Sequence, residues 1–167
     1  LKSDKKYVVI APGGNWIPKI WPAEKFNLLL KLLSKQYPYL NFILVGSIAE
    51  KEKYFNDVIA DINNNNIIDL MGETLTQTFA YIKKSNLFIG NDSGLMHLSV
   101  ASKISTIGLF GPTNDKIYAP YGNNCYTLRT KETYHHFTKI IIKKDLSYMK
   151  SIEVKNVMDL IENKRLL

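Results

Sequence analysis

Cysteine is almost missing from this chain: Cys125 stands alone among 167 residues. That excludes an internal disulfide framework and a cysteine-built zinc site. Long apolar runs are missing too, and nothing approaches the roughly 20 residues of a membrane span. The N-terminal LKSDKK lacks the apolar core of a signal peptide, so the expected compartment is the cytoplasm. Histidine is scarce, and His135 and His136 sit together without carboxylates or thiols around them, so no metal site is expected. No Gly-Lys-Ser/Thr order follows a glycine-rich loop, which removes support for an ordinary ATP-hydrolysing P-loop. Acidic charge is outweighed: the formal net charge is +7, which suits anionic partners such as nucleotides, acidic glycolipid or a membrane surface. The lysines fall in pairs such as Lys5-Lys6, Lys83-Lys84 and Lys143-Lys144, without interleaved aromatics or any RNA- or DNA-binding motif. Nucleic acid is therefore not an expected partner.

What is present is a globular composition, 46% hydrophobic and 22% charged, of a length that fits one domain. Strand and helix signals alternate along it. Short apolar runs at 7–11, 42–46, 67–71, 87–90 and 106–110 read as buried parallel strands. Helical spacing places helices at 22–36, 50–62 and 74–84, the last with Thr74 as N-cap. The asparagine run 63–66 reads as a loop. Residues 126–129 are a candidate sixth strand, 139–143 a further apolar stretch, and 153–161 a closing helix. The expectation is an α/β fold, a doubly wound parallel sheet with right-handed crossovers, whose ligands bind beyond the carboxyl ends of the strands.

The most informative segment is LFIGNDSGLMHLSVASKISTIGLFGP, residues 87–112. It reads as strand, tight polar turn, short helix and second strand, with Asp92, Ser93 and Gly94 at the helix start. Unpaired N–H groups and a partial positive charge there suit a phosphate. Gly94 permits close backbone approach, and Ser93 can donate a further hydrogen bond. His97, about one turn on, is expected to face the same crevice. An acid beside a phosphate would repel it, so Asp92 either caps the helix, orients the turn or meets sugar hydroxyls. No nucleophile-elbow sequence surrounds Ser93, which argues against covalent catalysis. The loop PGGNWIPKIWP, 12–22, adds close backbone approach at Gly13 and Gly14, a hydrogen-bonding Asn15 and the mobile charge of Lys19. Its Trp21-Pro22 pair reads as core packing. Thr113 in GPTND, Glu50 at the second helix and Glu73 before the third are further candidates. For Glu50, ribose binding and an ordinary first-turn acid are equally good readings.

PGGNWIPKIWP, the turn around GETLTQ, NDSGLMHLSVASKISTIGLFGPTND and YAPYGN together resemble the C-terminal half of the family 9 glycosyltransferases. These are the heptosyltransferases of lipopolysaccharide core assembly. The resemblance covers about residues 7–122, with a weaker echo in SYMKSIEVKNVMDLI. It implies a Rossmann-like C-terminal domain of a GT-B type glycosyltransferase, with residues 1–167 forming one nucleotide-sugar-binding domain. It implies a nucleotide diphosphate sugar donor, commonly ADP-heptose, and inverting transfer in one displacement with no cofactor or metal. The acceptor is a lipid-linked glycan, brought by a missing or separate N-terminal domain at the inner face of the cytoplasmic membrane. By motif, Asn15 and Lys19 contact phosphate, Glu50 the ribose and Glu73 the adenine through its backbone. Asp92, Ser93, Gly94 and His97 fall on the donor-binding turn. No catalytic base is expected in this chain, so alone it is expected to bind nucleotide weakly and transfer nothing.

The sequence also departs from the family. Lys103 and Ser105 stand where Gly and Pro are usual, which weakens a helix C-cap. Distal cysteines common in members are missing, with Tyr148 near one of those places. The alternatives are a degenerate, non-catalytic nucleotide-binding module or a fragment of a nucleotide-sugar epimerase.

Overall fold

The computed structural model describes residues 1–2, 4–62 and 64–167. Its six strands are β1 (Lys6–Ala11), β2 (Leu40–Gly46), β3 (Ile67–Met71), β4 (Leu87–Asn91), β5 (Ser105–Phe110) and β6 (Cys125–Arg129). They form one sheet in the order β3-β2-β1-β4-β5-β6, and every adjacent pair is parallel. The chain winds outward from β1 to β3, then returns beside β1 with β4 and winds the other way. The reversal leaves a crevice between the carboxyl ends of β1 and β4, where sheets of this kind bind ligands.

Both faces of the sheet are covered, which explains why the central strands β2, β1, β4 and β5 are buried along nearly all their length instead of alternating, while the exposed Asp69 lies on the edge strand β3. Val8, Ile10, Phe42, Leu44, Ile89 and Leu109 pack on one face against α1 (Ala23–Gln36), α2 (Ile48–Ile59) and α7 (Val154–Lys164). Tyr7, Val9, Val45, Phe88 and Phe110 pack on the other with α3 (Leu75–Ile82) and α4 (Gly94–Ala101). Successive residues of one strand thus belong to different cores, the period of two inherent in a pleated strand. Trp21 is fully buried and meets Phe26 edge-on, the core role expected of it.

Helix starts are fixed by side chains. Ser47 and Glu50 form a reciprocal capping box on α2, so that helix begins two residues before the expected Glu50. Thr74 and Gln77 do the same for α3, as the sequence indicates for Thr74. Pro22 is the N-cap of α1 and not a residue of its first turn. Of the asparagine loop, Asn64–Asn66 form a 3-10 turn, and Asn63 lies outside the described residues. The apolar stretch 139–143 forms no strand or helix, and Ile141 within it is 93% exposed. Lys103 follows the C-cap of α4 with φ at +63°, the left-handed position where a glycine is unstrained. Two further short helices, α5 (Asp115–Tyr118) and α6 (Tyr134–Phe137), lie in the distal third.

Candidate functional site

A cavity of about 520 Å³ opens at the carboxyl ends of the strands, within the usual size of a small-ligand site. Asn15, Lys19, Glu50, Glu73, Ser93 and Gly94 line it, so six of the nine sequence-predicted residues come together there. They reach it from four different strand-to-helix connections, which no local reading of the chain could have joined.

The cavity is lined by groups of both charges, carried on different connections. Lys19 and Asn15 follow β1, and the start of α4 follows β4. Ser93 is the N-cap of α4 and makes no side-chain cap bond, and nothing approaches within 4 Å of the place a Cβ would take on Gly94. The first-turn N–H groups of α4 and its dipole therefore add to the lysine charge on open ground. Glu50 and Glu73 come from the connections after β2 and β3. Glu50 uses Oε2 in the capping box, accepting from Ser47 N at 2.6 Å and Ser47 Oγ at 2.9 Å. Its Oε1 lies against Gly13, so close that a Cβ on Gly13 would overlap it. The ordinary first-turn reading of Glu50 holds, since it caps α2, and its carboxylate also lies at the cavity wall. Leu75, Leu95 and Leu98 supply an apolar side.

Lys19 sits on a single 3-10 turn, Ile17–Lys19, that is held from two directions. From β4, the fully buried Asn91 accepts from Trp21 N at 2.9 Å and donates to Pro12 O at 3.0 Å and Gly13 O at 2.9 Å. One amide thus pinches both ends of the loop together. From the distal segment, Ser147 Oγ donates to Ile20 O at 2.6 Å, Tyr148 N to Pro18 O at 3.1 Å, and Trp21 Nε1 to Ile152 O at 3.0 Å. Asn91 is missing from the sequence-based candidates. Its signal was a polar residue ending an otherwise apolar buried strand, overshadowed by Asp92 beside it. The distal partners had no signal, since they lie more than 120 residues away.

Three candidates are placed differently from expectation. His97 is exposed and outside the cavity lining. At about 100° per residue, Leu98 returns to the stripe of Gly94 and Leu95 lies to one side, whereas His97 falls on the other. Asp92 is buried, is not the N-cap, and does not line the cavity; its Oδ2 stands 3.7 Å from Lys19 Nζ. In this geometry its carboxylate faces Lys19. Thr113 is outside the lining as well, with a buried Oγ1 that has no hydrogen-bond partner among the described residues. Its loop is fixed by Arg129, which binds Asp115 and the Gly111 carbonyl. Among the described residues, no cluster of three or more His, Cys, Asp or Glu is arranged to hold a metal ion. No helix among them is long and apolar enough to cross a membrane.

Known proteins resemble this chain in sequence and fold. Lipopolysaccharide heptosyltransferase 1 of Campylobacter coli is 32% identical over 115 residues, 68% of this chain and 34% of that protein. A glycosyl transferase family 9 structure from Veillonella parvula superposes with a TM-score of 0.79 at 25% identity, covering 98% of this chain and 47% of its own. An Escherichia coli heptosyltransferase solved with ADP gives a TM-score of 0.78 at 18% identity, covering 98% and 45%. The chain thus spans less than half the length of each of these relatives, and its fold is that of the C-terminal domain of a GT-B glycosyltransferase. A family model, glycosyltransferase family 9 (heptosyltransferase), matches residues 1–145, which sets aside the epimerase alternative. The chain belongs to glycosyltransferase family 9.

Proposed function

We propose that residues 1–167 are the donor-binding domain of an enzyme that moves a heptose-like sugar from a nucleotide diphosphate sugar to a lipopolysaccharide core acceptor. The observation that carries this reading is the presence of both charges around the cavity. Lys19, Asn15 and the start of α4 line it from the connections after β1 and β4, and the Glu50 carboxylate from the connection after β2. A nucleotide diphosphate carries the complementary groups, anionic phosphates and, on the adjoining ribose, hydroxyls that donate to a carboxylate. The donor of choice is ADP-heptose, supported by the ADP held in the Escherichia coli structure.

In this reading Lys19, kept in place by Asp92, and the first-turn N–H groups of α4 stabilise the negative charge that grows on the departing diphosphate. Asn15 adds a hydrogen bond to phosphate, and the backbone at Glu73 meets the adenine. The displacement is direct and inverts the sugar centre. The base that activates the acceptor, and the acceptor surface, belong to a separate N-terminal domain at the cytoplasmic face of the membrane. Calorimetric titration with ADP and UDP tests the donor class: ADP is expected to bind weakly but more tightly than UDP. The chain alone is expected to transfer no sugar, and to do so once the complementary domain is supplied. A preference for UDP, or transfer by this chain unaided, would overturn the assignment.

A further inference from the structure

We propose that the loop 138–147 is a lipid-contacting element that docks this domain on an anionic membrane surface. The loop leaves and re-enters the fold through a fixed base. Phe137 is buried and meets the Tyr148 ring at 5.8 Å, edge to face. The Tyr148 hydroxyl accepts the backbone N–H of Lys143 at 3.1 Å. Between these two anchors the chain forms no helix or strand and projects its side chains outward.

Those side chains are of two kinds. Ile140, Ile141 and Leu146 are 39%, 93% and 41% exposed, and Ile141 is the most exposed of the large apolar side chains among the described residues. Lys139, Lys143 and Lys144 are exposed beside them, and Asp145 is the single acid of the loop. Apolar groups at a tip with lysines around them fit a bilayer interface. The isoleucines enter the acyl boundary, while the lysine stems lie along it and their ammonium groups meet lipid phosphates. A protein partner is the poorer match, because lysine is depleted from the buried centre of protein interfaces. The position also matters. Tyr148 N and Ser147 Oγ, at the base of the loop, bond to Pro18 and Ile20 on either side of Lys19. The base of the lipid-contacting loop is therefore bonded to the turn that carries Lys19 at the cavity. The lipid contact itself does not rest on the donor reading.

Sedimentation of the 167-residue chain with phosphatidylcholine vesicles, with and without phosphatidylglycerol, tests it. Binding is expected only to the anionic vesicles and should weaken as salt rises. Ile141→Ser and the pair Lys143→Gln with Lys144→Gln are each expected to lower vesicle affinity by about tenfold. The pair Lys83→Gln with Lys84→Gln, an equal change of charge at the end of α3, is expected to leave it within about twofold. ADP binding should be unchanged in all of them, so a failure here is separable from a failure of the donor assignment. No anionic-vesicle binding, or equal loss in the loop and control pairs, would overturn the proposal. Self-association that depends on Ile141, without vesicle binding, would assign the loop to a protein contact instead and equally overturn it.

Discussion

Replacing Asn91 by alanine removes a group whose hydrogen bonds all serve one purpose, closing the loop that carries Lys19. The side chain is fully buried and makes three bonds, one accepted from Trp21 N and two donated to the Pro12 and Gly13 carbonyls. Each bond is worth about 1 kcal/mol, and a buried backbone group left without a partner costs about 1–3 kcal/mol. Water entering the small space vacated would restore part of this, so the net loss is expected at about 2–4 kcal/mol. For a domain of this size that corresponds to a melting temperature lower by roughly 5–15 °C. The loop consequence is separate from the stability consequence. With its ends released, Lys19 must be ordered on binding, so the affinity for ADP is expected to fall by about tenfold while that for adenosine stays nearly constant. Asn91→Asp should be worse than alanine, because it sets a second oxygen against the Pro12 and Gly13 carbonyls in place of the donor. Thermal melts, with calorimetry of ADP and adenosine on the folded fraction, provide the readout. Equal losses for both ligands would show that Asn91 merely supports the fold, and an unchanged melting temperature would refute the bond accounting itself.

Lys19→Ala is expected to weaken ADP at least tenfold in titration calorimetry and to lower the melting temperature, since it leaves the buried Asp92 carboxylate without the cation that stands 3.7 Å from it. Gly13→Ala drives a methyl group into a Glu50 side chain fixed by its capping box, and should cost about 1–3 kcal/mol in denaturant melts together with much of the ADP affinity. Lys103→Gly relieves the left-handed residue after α4 and is expected to stabilise the domain by about 0.5–1 kcal/mol, seen as a higher melting temperature. Burial pushes the Cys125 thiol up, and a hydrogen bond with Thr106 offsets this only in part. The thiol therefore stays protonated through neutral pH, and the stability linked to it fades only as pH rises through and beyond the ordinary thiol range. Iodoacetamide should label Cys125 more slowly than a small free thiol at the same pH.

Much of this protein is settled locally. Five apolar runs bounded by glycine, proline and asparagine define five strands to within two residues of their observed ends. Apart from Asp69 in the edge run and Thr106, their apolarity already states that both faces are buried, because a half-exposed strand would alternate. Thr74 sets the start of α3 through bonds to residues three positions away, so its role is written in four consecutive letters. Gly94 and Ser93 are legible for the same reason, since a helix start offers its N–H groups wherever the helix is placed.

The tertiary structure decided what each polar group faces. His97 and Leu98 are neighbours in sequence, yet the angle at which α4 packs on the sheet exposes one and puts the other in the cavity. Asp92 looks like a ligand residue or a cap in sequence, and becomes the partner of Lys19 only because β1 and β4 are adjacent in the sheet. Asn91 and Ser147 gain their meaning from backbone groups across the fold. Periodicity and capping act over a few residues and can be read from order alone. A shared cavity depends on strand order and packing angle, which no short segment contains.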